Sequence, residues 1–274
     1  MNEDTPPPVA GEFFVTKEYR RFAEFCDAVR RERYIGLCYG PPGVGKTRSA
    51  RHYAQWDMLE DASEVRAHTR PPASLLATCR SVFYTAPVSA TPGRIEREVR
   101  ARCYQLTDLI HDAEAAAVGE SYVYPSGLCN RTELLIVDEA DRLKLLGLEQ
   151  LRDFYDQGGL GLVLMGMPGL EKRLARYAQL YSRVGFVHAF RPLSDEELQF
   201  LLAQRWRELG STFDLADFTD QEALTTVRRI TSGNFRLLHR LLAQISRILA
   251  INGLRMVTKE VVDAAREHLV IGAN

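Results

Sequence analysis

The octapeptide Gly40-Pro41-Pro42-Gly43-Val44-Gly45-Lys46-Thr47 constrains this chain more than any other stretch of its sequence. It matches G-x-x-x-x-G-K-[ST] in full. Its glycines let the backbone curl until consecutive N–H groups point inward, and a helix starting at the lysine adds its positive end. Such a turn cradles phosphate oxygens. Lys46 is expected to reach the β- and γ-phosphates of a bound nucleotide, and the Thr47 hydroxyl to ligate Mg²⁺. Arg48, next in line, is counted with Gly40 to Thr47 among the nucleotide-binding positions. The flanks suit the mechanism, since Tyr34 to Tyr39 reads as a buried strand and a helix is expected from Lys46 to about Leu59. A chance match in a glycine-rich turn explains that context poorly.

A second element answers the first. Leu134-Leu135-Ile136-Val137 reads as a buried strand that ends in Asp138-Glu139. A strand of this kind delivers both carboxylates beside the phosphate turn. Asp138 is expected to hold the Mg²⁺ shell, and Glu139 to orient and polarise the attacking water. Strand ends are often acidic for no functional reason. The pairing with the upstream P-loop is what favours the catalytic reading.

The rest of the chain gives these two motifs a frame. Thr16 can cap a helix running to about Arg33, with Phe22, Phe25 and Val29 at helical spacing. The stretch from Glu60 to Thr78 holds Pro71-Pro72 and reads as irregular. Ser81 to Ala86 is a second strand, and Thr91-Pro92 opens a helix to about Glu114. A loop with Pro125 and Gly127 leads to the Asp-Glu strand. A helix near Glu149–Tyr155 stops at Gly158-Gly159, and strands follow at Leu160–Met165 and Val184–Phe190. Alternating strands and helices imply an α/β domain whose parallel sheet is covered on both faces. From Arg191 the texture changes to helix, with capping boxes at Ser194–Glu197 and Thr219–Glu222 and a long apolar-striped helix from Asn234. The expected organisation is a disordered head over 1–12, a nucleotide-binding domain over 13–191 and a helical lid over 192–274.

Composition excludes several classes. No apolar run approaches the roughly 18 to 20 residues needed to cross a bilayer. The acidic, proline-rich start lacks the basic and apolar regions of a signal peptide. The cysteines Cys26, Cys38, Cys79, Cys103 and Cys129 are widely spaced and read as reduced thiols of a cytoplasmic protein. A formal net charge of −1 lends nucleic-acid binding no support, so any such binding needs a local patch.

The P-loop, the hydrophobic-Asp-Glu strand and the all-helical tail together resemble the AAA+ superfamily of ATPases. The resemblance implies a sheet in order 5-1-4-3-2, a helical lid, and ATP with Mg²⁺ held between neighbouring protomers. Gly233-Asn234-Phe235-Arg236 resembles the sensor-2 motif, whose arginine reaches the γ-phosphate. Arg183, ahead of the fifth strand, stands where the family carries an arginine finger acting on the neighbour's site. Arg173 and Arg176 are its rivals. One position departs from the pattern. The fourth strand usually ends in a polar sensor-1 residue, and Met167 occupies that place here, with Thr85 as a substitute. Slow or partner-stimulated hydrolysis is the expected consequence.

Within AAA+, Asp138-Glu139-Ala140-Asp141-Arg142-Leu143, Gly166-Met167-Pro168-Gly169-Leu170 and Arg191-Pro192-Leu193-Ser194 resemble the transposition-regulator ATPases, the TnsC, TniB and MuB group. That likeness implies a homo-oligomer, ring or helical filament, assembled with ATP on double-stranded DNA without sequence preference and engaging a transposase. It places DNA against the helix after the second strand, where Arg94, Arg97 and Arg100 share a broad stripe interleaved with Glu96 and Glu98. Asp138-Glu139-Ala140-Asp141 also spells a helicase signature, but two recombinase-like domains do not fit in 274 residues. Two alternatives remain: a loader of the initiator or clamp-loader kind, and an ATP-gated protein switch that never meets DNA.

Overall fold

The structure is a computed structural model that describes residues 13–63, 71–89, 91–119, 131–208, 214 and 216–269. The head over 1–12, the loop holding Pro125 and Gly127, and Cys129 lie outside the described residues. The chain divides into two compact units, one of residues 19–41 and 46–190, the other of 1–18, 42–45 and 191–274.

The first unit is built on a five-stranded parallel sheet. Its strands are β1 (Ile35–Tyr39), β2 (Ser81–Thr85), β3 (Leu134–Asp138), β4 (Gly161–Gly166) and β5 (Val184–Ala189). They lie in the order β2-β3-β4-β1-β5, which is the expected order read from the other edge. Every residue of β3 and β4 is buried, and all of β1 except its last, Tyr39, as a sheet covered on both faces requires. Helix α1 (Lys17–Glu32) supplies one cover, so closely that a Cβ at Gly36 would lie 2.5 Å from the Val29 side chain. Glycine at that strand position lets the apolar stripe of Phe25 and Val29 meet the sheet.

Two local expectations need correction. The helix from Lys46 to Leu59 is two helices, α2 (Lys46–Tyr53) and α3 (Trp56–Ser63), parted at Gln55, whose φ is 52°. The break lets Ala54 and Trp56 both enter the core. The irregular reading of Glu60 to Thr78 missed the end of α3 and all of α4 (Ala73–Thr78), which Pro72 precedes at the N-cap. The rest of that stretch, 64–70, lies outside the described residues. Helix α5 (Pro92–Val118) starts as expected, with the Thr91 hydroxyl accepting the Arg94 N–H. A short 3₁₀ turn (Ala140–Arg142), α6 (Leu145–Gly158), α7 (Leu170–Leu174) and α8 (Ala178–Tyr181) complete the unit.

The second unit holds α9 (Asp195–Glu208), α10 (Phe218–Thr231), α11 (Phe235–Asn252) and α12 (Lys259–Glu267). Its core gathers Trp206, Leu202, Leu241, Ile245 and Val262, all fully buried. The Ser194 box forms reciprocally: the Glu197 N–H donates to Ser194 Oγ, and the Ser194 N–H to Glu197 Oε2. The box expected at Thr219 does not form. Asp217 caps α10 instead, accepting the N–H groups of Thr219 and Asp220, because a carboxylate one turn earlier reaches both orphan donors. Among the described residues no helix is long and apolar enough to cross a membrane. Cys26, Cys38, Cys79 and Cys103 are free and buried.

Candidate active site

Parallel strands in register bring their C-terminal ends to one edge. Tyr39 pairs with Gly166, and Thr85 with Asp138, so the phosphate turn, the acidic strand end and the end of β4 meet there. The Gly40 N–H donates to the Gly166 carbonyl at 3.3 Å. A Cβ on Gly40 would stand 2.3 Å from the Phe190 carbonyl oxygen, so only glycine can begin the turn. Lys46 closes it: Nζ donates to the carbonyls of Gly40 at 2.6 Å and Pro41 at 2.8 Å. Burial lowers the pKa of this ammonium, while Cys38, Asp138, Glu139 and Asp141 pull it back up. A lysine held at the mouth of a ring of N–H groups with three carboxylates around it is poised to exchange those carbonyls for phosphate oxygens.

The acidic side of the site is assembled around Asp138, which is 3% exposed. Thr47 Oγ1 donates to Asp138 Oδ2 at 2.6 Å, and the other carboxylate oxygen accepts the Glu139 N–H at 2.9 Å. A hydroxyl and a carboxylate so close match adjacent corners of an octahedral Mg²⁺ shell, whose ligands lie about 3 Å apart. Among the described residues no three His, Cys, Asp or Glu side chains gather to hold a metal alone. The donor set therefore suits a magnesium ion that phosphates and water complete, which is how that cation is commonly bound.

Glu139 follows in the left-handed region, with φ 56° and ψ 36°. A non-glycine residue there is strained, and such strain concentrates at functional positions. Arg142 lies one turn on, with Nη2 3.5 Å from Glu139 Oε1 and Nη1 donating to the Ala86 carbonyl at 3.2 Å. Asp141 points elsewhere, accepting the Met167 N–H on Oδ1 at 3.1 Å. Met167 thus meets Asp141 through its backbone, and the residue is 37% exposed. Thr85 is exposed at the end of β2. Arg173, a rival for the finger, is spent on the carbonyls of Asp141 and Leu143. Arg176 is exposed. The contacts of Asp141 and Arg142 had no advance signal beyond proximity to Asp138-Glu139, and the sequence offered Arg173 only as a rival for the finger.

In the unit that contains residues 42–45, the tip of the phosphate turn is clasped by the start of α11. Asn234 Nδ2 donates to the Pro42 carbonyl at 2.9 Å, and the Arg236 N–H to the Gly43 carbonyl at 3.0 Å. Asn234 also caps α11 by accepting the Leu237 N–H. The Arg236 side chain is exposed. Asn234 is thus a functional candidate that the sequence showed only as a member of the Gly233–Arg236 stretch, with the role given to Arg236.

Arg183 lies at the opposite edge of the sheet. Its carbonyl accepts the Ile35 N–H at the beginning of β1, and its guanidinium grips Asp156 through Nε at 2.7 Å and Nη2 at 3.0 Å. Five strand residues, about 16 Å, part it from its own phosphate turn. On α5, Arg94 is paired with Glu98, and Arg100 with Glu96 while lying over the Phe154 ring. Two members of the expected stripe are thus engaged by i,i+4 carboxylates of the same helix. Arg97 is exposed and has no ion pair among the described residues.

Residues 29–174 match the model of the family described as AAA domain. A Staphylococcus aureus protein described as a potential ATP-binding protein is 45% identical over 95% of this chain and 97% of its own length. The Mu-like prophage FluMu DNA transposition protein B of Haemophilus influenzae is 34% identical over 84% of this chain and 71% of its own. Among solved structures, the Thermotoga maritima RuvB Holliday junction branch migration motor aligns with a TM-score of 0.55 at 17% identity, over 96% of this chain and 72% of that one. The Aeropyrum pernix ORC2 protein aligns with a TM-score of 0.54 at 15% identity, over 97% and 70%. At such identities the structural matches speak for the fold.

Proposed function

Because the chain belongs to the AAA-domain ATPases of the AAA+ superfamily, resembling the MuB/TnsC group, we propose that it hydrolyses ATP and uses the nucleotide to assemble on duplex DNA as a regulator of transposition. The observation that carries this reading is the 34% identity to a transposition protein B over most of both chains, joined to an intact phosphate turn and Asp138-Glu139 pair. In it, residues 13–191 bind the nucleotide and 192–274 form the lid of a cytoplasmic protein.

The geometry described above supports the following roles. Backbone N–H groups from Gly40 to Thr47 and the Lys46 ammonium hold the triphosphate. Arg48 flanks it, and Thr47 and Asp138 would hold Mg²⁺, which when bound would neutralise phosphate charge. Glu139 orients and polarises the attacking water, accepting its proton on a carboxylate oxygen, and Arg236 reads the γ-phosphate. Arg183, too far from its own turn, completes the site of a neighbouring protomer in a homo-oligomer. Arg97 leads the DNA contacts, to phosphates and without sequence preference, with Arg94 and Arg100 recruited from their glutamates. A transposase is the partner that such a filament or ring would engage.

The internal pairing of Arg94 and Arg100 favours one rival, a protein switch that binds ATP but no DNA. The test is binding to random-sequence duplex with a nonhydrolysable ATP analogue, with ADP and without nucleotide. Tight, cooperative, salt-sensitive binding with the analogue alone supports the DNA-assembling regulator. Absence of binding in every state moves the reading to the switch.

A further inference from the structure

We infer that the outer face of α11 is a docking surface for a protein partner, and that the segment it fits is an acidic amphipathic helix with an apolar end. The surface belongs wholly to the second unit and lies beyond the nucleotide chemistry. No Asp or Glu occurs between Glu222 and Glu260, a stretch that includes all of α11. The helix buries Leu238, Leu241, Ile245 and Leu249 in the core of its unit. The helical period then sends Arg240, Ala243, Arg247 and Ile251 outward on the opposite side, and all four are exposed. At 1.5 Å per residue they form one line about 16 Å long. Arg236 heads the same line, but the reading above gives it to the nucleotide.

Two features of this line identify what it fits. Arg240 and Arg247 have no ion pair among the described residues, whereas Arg228 and Arg229 on α10 are matched by Asp195 and Asp263. Each guanidinium offers a planar fork that takes a carboxylate at two points. The line then runs into apolar surface. Gly253, with φ 61°, caps α11, and the Leu254 N–H donates to the Leu249 carbonyl at 3.0 Å. That turn leaves Ile251, Leu254 and Met256 70%, 47% and 57% exposed. Single exposed apolar residues are ordinary, but three within six residues, beside two arginines without an ion pair, mark a contact surface. Arginine and methionine are both enriched at protein interfaces. Duplex DNA would engage the arginines and leave the apolar end idle, while a helix carrying carboxylates and then apolar residues engages both. The short side chain of Ala243, midway between the arginines, lets such a helix lie close.

The test is binding of a synthetic alanine-based helix to the full chain, followed by fluorescence anisotropy. The peptide carries two glutamates seven residues apart, then leucines four and seven residues beyond the second, the spacing that Arg240, Arg247, Ile251 and Leu254 present. Expected is saturable binding with Kd on the order of 10 to 100 μM at low salt. Arg240→Glu combined with Arg247→Glu should weaken it at least about tenfold, and Ile251→Ser about threefold, with ATP affinity unchanged in both. A peptide with lysines in place of its glutamates should bind the double variant and not the wild type, a rescue that a misfolded variant cannot show. Failure of the first peptide to bind the wild type, or equal binding to the double variant, overturns the inference. A loss of duplex binding in the double variant larger than that of Arg97→Ala assigns the face to DNA and overturns it too. So does a changed oligomeric state of the double variant, which assigns the face to a second copy of this chain.

Discussion

Thr47 and Asp138, 91 residues apart in sequence, meet in a hydrogen bond of 2.6 Å from Oγ1 to Oδ2. That bond aligns two oxygens that a magnesium ion can take over together. Thr47→Val keeps the shape of the side chain and removes the ligand. Its affinity for Mg·ATP should fall about 10- to 100-fold, while binding measured with the metal chelated should change little. An equal loss in both conditions would assign the hydroxyl to the fold and not to the metal.

Arg183 and Asp156 form a two-point ion pair far from the phosphate turn of their own chain. If the arginine serves a neighbour, Arg183→Ala should lower turnover by about 10³-fold with nucleotide affinity nearly intact. Mixing it with Lys46→Ala should restore part of the activity, since each variant supplies what the other lacks. A mixture as inactive as its components would confine Arg183 to its bond with Asp156.

The three arginines of α5 should not contribute equally to a duplex. Arg97→Ala is expected to weaken binding uniformly across sequences and to reduce the salt slope by about 1. Arg94→Ala and Arg100→Ala should each cost less, because their charges are already shared with Glu98 and Glu96. A larger loss from Arg94 than from Arg97 in a salt titration would contradict this ranking.

Tyr53 gives a handle on stability. Its hydroxyl donates to Asp27 at 2.7 Å, and burial first, then that bond, raise its pKa above the ordinary 10.0. The unfolded phenol loses its proton near 10.0 while the folded one keeps it. The contribution is therefore fully present below pH 10 and is lost as pH rises toward the folded value. Tyr53→Phe should cost about 1 kcal/mol at neutral pH. In thermal melts, its deficit against wild type should narrow above pH 10; a deficit that stays constant would deny the shift.

What could be read from the sequence follows from which interactions are local. The phosphate turn and the Asp138-Glu139 strand end were legible because each depends on spacing within one segment and on a continuous apolar strand, whereas the sheet order was expected only from the likeness to AAA+ ATPases. The Ser194–Glu197 box was legible from local spacing as well. The split at Gln55 was not, because a tertiary demand, burying both Ala54 and Trp56, overrode helical periodicity. Nor were the ties of Asp141 to Met167 and of Arg142 to Ala86, since a charged side chain in a turn carries no mark of the distant backbone group it will meet. On α5, helical spacing located Arg94, Arg97 and Arg100 and the interleaved Glu96 and Glu98, but not that Glu98 pairs with Arg94 and Glu96 with Arg100.

Asp141 and Gly166 stand in a relation that bears on which sequences this fold can tolerate. A Cβ at 166 would come within 2.3 Å of Asp141 Oδ1, the same oxygen that accepts the Met167 N–H. Neither position can therefore drift alone. A larger residue at 166 has to arrive with a shorter one at 141, and the shorter one leaves the Met167 N–H to find water. The ends of β3 and β4 are in this way locked to a common mutational fate, through a contact between a side chain and a missing one.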